Sequence, residues 1–162
     1  LTAILAAGGL IGFSWASRVL SKGSDPFRMA SLGALVGIPA FVFIILSASL
    51  MQQNLFIAGA FLIGFGGGLF SHGTLTATMQ MAPVHQRGLA LGAWGAVQAT
   101  AAGFAIGLGG IIRDIVVALG DASWIPKGLI GPTSGYFLVY CLEIGLLIAT
   151  ILSMIKLIYK KV

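Results

Sequence analysis

Two side chains in this chain stand out against their surroundings. His72 and Glu143 both lie inside long apolar runs. A polar ring in hydrocarbon must find a partner, and a carboxylate there is costly unless it is paired or protonated. Ionisable groups at membrane depth therefore mark substrate or proton paths, or contacts with another subunit. Each also has a plainer reading. His72 can hydrogen-bond a carbonyl or hydroxyl of a neighbouring helix, and Glu143 can be protonated and bonded to a neighbouring backbone. Gly66, Gly67, Gly68 and Gly73 flank His72 and predict a flat, side-chain-free surface beside it. By helix rise, His72 stands about 13 Å from the end of its run, near the midplane. Glu143 is similarly deep in its own run.

A second cluster follows. Pro83, His85, Gln86, Arg87 and Gly88 form a corner. Arg87 reads either as a functional charge or as a helix-end charge that sets orientation. Trp94 and Gln98 are four residues apart and share one helical face. They are candidates for a cleft or a partner contact, as is Glu143. His72 and His85 are too far apart in sequence to share a metal on one helix face. The chain has no phosphate-binding glycine loop ending in Lys-Ser/Thr, no His-Glu-x-x-His and no serine elbow. With one cysteine, Cys141, it has neither an intramolecular disulfide nor a cysteine-based zinc site. No enzyme is expected.

The elements that hold these residues are set by composition. Only 8% of the 162 residues are charged and 58% are hydrophobic, whereas soluble domains carry about 25% charged residues. The chain is expected to live in a bilayer with lipid as its constant neighbour. Its 24 glycines suit close helix packing. The net charge of +5 does not point to nucleic acid, because the few basic residues sit at the ends of apolar runs. The chain opens at Leu1, inside an apolar run and without an initiator Met, and reads as a fragment of a longer protein.

Hydropathy predicts five helical spans: 2–20, 29–50, 55–81, 88–112 and 134–158. Small residues four apart recur in them, as in Gly8/Gly12, Gly33/Gly37 and Gly64/Gly68. Gly95, Ala99, Gly103 and Gly107 make one face of the fourth span small, which predicts a helix lying close against it. Pro39 predicts a kink in the second span. The long connection 113–133 either extends the fourth helix through Ile115 and Leu119 or lies in the interface, where Trp124 suits the aromatic belt. Arg18, Lys22, Arg28, Arg87, Lys156, Lys160 and Lys161 fall on one side, against Arg113 and Lys127 on the other. That asymmetry predicts a cytoplasmic C-terminus.

Two resemblances add to this. Gly12, Arg18, Asp25 and Arg28 resemble a degraded cytoplasmic loop motif of the major facilitator superfamily, and the spans match helices 8–12 of that fold. The motif's usual acidic residue has no counterpart, since residues 14–17 are uncharged. More narrowly, Gly64-x-Gly66-x-Gly68, Ser71-His72-Gly73-Thr74-Leu75-Thr76 and Arg87-Gly88-x-Ala90-x-Gly92-x-Trp94-Gly95-x-x-Gln98 resemble the PucC family. This is the bacteriochlorophyll-delivery branch of the superfamily, associated with assembly of light-harvesting complexes in phototrophs.

The resemblance implies a C-terminal membrane-domain fragment, residues 1–162, in a bacterial inner, intracytoplasmic photosynthetic membrane. It implies bacteriochlorophyll as the bound group, and light-harvesting antenna polypeptides or a reaction-centre complex as partners. His72 would then be an axial ligand to the pigment magnesium, its only metal role, with Gly66, Gly67, Gly68 and Gly73 as the plate for the macrocycle. Two alternatives stay open. One is a proton-coupled secondary transporter of the superfamily, and the other a structural subunit of a photosynthetic complex.

Overall fold

The computed structural model describes residues 1–120 and 134–159. Five helices carry the described residues: α1 (Thr2–Leu20), α2 (Pro26–Leu50), α3 (Gln53–Met81), α4 (Arg87–Gly120) and α5 (Ser134–Tyr159). A single 3-10 turn, Val84–Gln86, forms the corner before α4. All five helices are long and apolar enough to cross a membrane. The protein is an all-α, multi-pass membrane helix bundle. Trp124, Lys127, Lys160 and Lys161 lie outside the described residues.

Local chemistry explains where the helices start and stop. The Asp25 carboxylate accepts from the amides of Phe27 at 2.7 Å and Arg28 at 3.4 Å, and Pro26 occupies the first turn. Both features start a helix, so α2 begins three residues before the expected Met29. Gly23 turns the chain before it with φ +87°. The helix runs on as a helix through Pro39 and ends where Met51 adopts the left-handed region, φ 53°. At the other corner, α4 continues through Ile115 and Leu119 to Gly120, the first of the two expected alternatives.

α3 is the centre of the packing. It lies between α1 and α2, which scarcely touch each other. Glycines set the approach on both sides. A Cβ added at Gly64 would meet the Leu5 carbonyl and sit 3.0 Å from the Gly9 amide, and one at Gly8 would meet the Phe61 carbonyl. On the other side, a Cβ at Gly33 would sit 2.6 Å from the Gly66 carbonyl. Nothing larger than hydrogen fits at these contacts, the small-residue mode of membrane packing. Ala16, Met29 and Leu69 form the buried centre, with Phe65, Leu32 and Val36 packed on it.

The contacts fix the helix directions. Phe61 and Phe65 of α3 follow Gly8 and Gly12 of α1 in the same order, so these two run parallel. α2 is antiparallel to α3, since Gly73 meets Ala30 while Gly59 meets Ala40. α5 is antiparallel to α2, with Tyr140 near Phe41 and Leu147 near Gly37. Arg18, Lys22, Arg28, Arg87 and Lys156 therefore share one end of the bundle and Arg113 stands at the other.

One packing expectation fails. No helix covers the small face of α4 among the described residues. A Cβ at Gly95, Gly103 or Gly107 would meet nothing within 4 Å, and Ala99 is exposed. The reason is that α4 docks through its two ends. Trp94 reaches α3, while Gly109 and Arg113 reach Val139 and Gly135 of α5. The spacing of small residues encodes a narrow face but not the helix that covers it.

Candidate functional site

His72 faces α1. The Phe13 ring stands edge-on to the imidazole, with centroids 4.2 Å apart and planes at 65°. Its Nδ1 is buried and has no hydrogen-bond partner among the described residues. Neither the orienting group that a ligating imidazole normally has nor the hydrogen bond of the plainer reading is present there.

The flat glycine surface expected beside His72 is corrected by the structure. Gly66 and Gly73 face α2, where added Cβ atoms would lie 2.7 Å from the Gly33 carbonyl and 2.7 Å from the Ala30 amide. Gly68 faces α1, where a Cβ would meet the Gly9 carbonyl and lie 2.7 Å from the Phe13 amide. At 3.6 residues per turn, consecutive glycines point to different neighbours. Three of the four are therefore occupied by helix packing. Only Gly67 is open, with nothing within 4 Å of an added Cβ.

Gly67 instead shares a cavity with Glu143. This cavity of about 320 Å³ lies between α2, α3 and α5. Gly33 and Gly37 line it from α2, Gly66 and Gly67 from α3, and Glu143 and Thr150 from α5. Glu143 has no hydrogen-bond or ion partner among the described residues. The backbone bond of its plainer reading is absent there too. No sequence signal joins Gly67 to Glu143, because the register of α5 on α2 brings them together.

The remaining candidates are placed as follows among the described residues. The Trp94 indole Nε1–H donates to Thr74 Oγ1 at 3.2 Å, which ties the start of α4 to α3. Gln98 is half-buried one turn on. Gly12 is a packing glycine under the Phe65 carbonyl. Asp25 is the cap of α2, and Arg18, Arg28 and Arg87 are exposed. The loop motif forms no ion pair among the described residues, where Arg113–Asp114 at 3.0 Å is the recorded pair.

Sequence reasoning also missed a second cavity, about 430 Å³, at the opposite end from the basic cluster. Tyr136, Tyr140, Phe56 and Met51 line it. The Arg113 guanidinium lies 5.1 Å from the Tyr136 ring centre. Tyrosines at a span end are the visible signal, an aromatic belt feature.

A family profile described as PUCC protein matches residues 1–162. The chain belongs to the PucC family. The narrow resemblance carried by residues 64–98 is borne out. The chain is 52% identical to Protein PucC of Cereibacter sphaeroides over 157 residues, 97% of this chain and 33% of that protein. It is 63% identical to Protein PucC of Rhodovulum sulfidophilum over 116 residues, 72% of this chain and 26% of that protein. A more distant relative is an uncharacterized MFS-type transporter of Mycobacterium tuberculosis, 32% identical over 136 residues, 80% of this chain and 23% of that protein. This PucC-family chain thus spans a third or less of the length of these relatives. No solved structure matches it.

Proposed function

We propose that this PucC-family chain is part of a light-harvesting complex assembly factor that binds bacteriochlorophyll, or antenna polypeptides carrying it, and hands them over in the photosynthetic membrane. The observation that carries the reading is the family match over the whole chain. The fold supports it in two ways. The outward faces of α4 and α5 carry exposed large apolar side chains, among them Phe104, Ile106, Phe137 and Leu146, which suit partners that are themselves membrane helices or apolar pigments. The basic residues gathered at one end support a cytoplasmic position for that end, and with it for the C-terminus of α5.

Bacteriochlorophyll is cargo in this reading, and the chain's part is to offer it an apolar seat with few polar contacts. The test is genetic. Deleting the gene in a pigment-making host lowers the absorbance of assembled antenna complexes while pigment synthesis continues. Antenna levels equal to those of the parent strain sink the proposal.

The identity to an MFS-type transporter favours one second reading, a proton-coupled secondary transporter. Membrane vesicles that accumulate a solute, and lose this with Glu143→Gln, support it over assembly.

A further inference from the structure

We infer that the cavity between α2, α3 and α5, rather than the surroundings of His72, seats the flat apolar ligand, with the Glu143 carboxyl as its one polar contact. The inference rests on the pigment-handling reading above.

The first observation is Gly67. α3 has glycines at 59, 64, 66, 67, 68 and 73. An added Cβ at each of the others would press on a neighbouring helix, at Ile44, Leu5, Gly33, Gly9 and Ala30 respectively. Helix packing thus accounts for all of them except Gly67, which opens on the cavity. Glycine inside a helix carries a cost of about 1 kcal/mol relative to alanine. Room for a ligand against bare backbone gives that position a use.

The second observation is Glu143. The cavity has two polar side chains, Glu143 and Thr150. Thr150 donates its hydroxyl proton to the Leu146 carbonyl at 2.8 Å. That leaves Glu143 as the uncommitted polar group of an otherwise apolar cavity. A polar group at this depth needs a partner, and a ligand entering the cavity provides one.

The cavity's shape and chemistry define the ligand. Bare backbone at Gly33, Gly37, Gly66 and Gly67 keeps the α2 and α3 walls low, and Phe41 and Phe70 add aromatic surface. Its volume of about 320 Å³ admits the edge of a macrocycle rather than the whole. The edge is the part that reaches Glu143, so the carboxyl meets polar substituents of the ring rather than its central metal.

The experiment is a titration of the full-length polypeptide in mild detergent with bacteriochlorophyll, followed by the absorption shift of the bound pigment. Gly67→Phe fills the cavity from a position where an added Cβ meets nothing. Glu143→Leu removes the carboxyl at similar volume. Circular dichroism and gel filtration verify that both fold. Each variant is expected to weaken binding by about tenfold or more, and Glu143→Leu to move the red band of what still binds. His72→Leu is expected to bind as the wild type does. Unchanged affinity in both cavity variants, or loss of binding in His72→Leu, overturns the inference while leaving pigment handling intact. A wild type that takes up no pigment overturns pigment handling itself, and this inference with it.

Discussion

His72 packs against Phe13 of α1 and makes no hydrogen bond through Nδ1 among the described residues. An orphaned buried nitrogen costs about 1–3 kcal/mol. The Nδ1 atom, closed off with the Phe13 ring edge-on to the imidazole, is such an atom. Replacing it with a similar apolar side chain removes that cost. His72→Leu is therefore expected to leave the thermal midpoint in mild detergent unchanged or raised. A clear fall would show that the imidazole holds a contact absent from this arrangement. Asp25 makes the opposite case. Its carboxylate caps α2, so Asp25→Ala is expected to cost about 1 kcal/mol in the same measurement. No loss would mean that the cap is redundant. Residue types were legible in sequence: a lone histidine and a lone carboxyl in apolar runs needed no structure to be singled out. Their partners were not legible, because a face is assigned only once the neighbouring helix is in register.

At the scale of elements, α3 and α4 carry comparable numbers of glycines and use them differently. On α3, Gly64 is pressed against the Leu5 carbonyl of α1. Gly64→Ala is expected to force α1 away, at about 1–3 kcal/mol. On α4, Gly103 meets nothing. Gly103→Ala is expected to be neutral, or stabilising by up to about 1 kcal/mol through helix propensity. Thermal unfolding of the two variants side by side checks this contrast. Equal penalties would contradict the assignment of α1 to α3. The spans themselves were legible because about 20 apolar residues must cross the membrane. Their ends shifted for local reasons, at Asp25-Pro26 for α2 and through Ile115–Leu119 for α4. Unlike the spans, the partner of each small face was hidden. Gly8, Gly33 and Gly64 found helices inside this chain, while Gly95, Gly103 and Gly107 did not.

At the scale of the whole molecule, the alternating helix directions gather Arg18, Lys22, Arg28, Arg87 and Lys156 at one end. Cysteines introduced as Lys22→Cys and Arg87→Cys, in a Cys141→Ala background, are expected to react with an impermeant reagent from the cytoplasmic side. Arg113→Cys is expected to react from the other. Labelling of all three from one side would break the five-span arrangement. The exposed apolar faces of α4 and α5 and the cavity at Glu143 suit a protein that handles apolar cargo laterally, within the bilayer. The most direct measurement is the absorption spectrum of the full-length protein, gently solubilised and purified from a pigment-making host. A red-region band that copurifies with the protein and weakens in Glu143→Leu is expected. A pure, folded wild-type protein with no such band would contradict pigment handling.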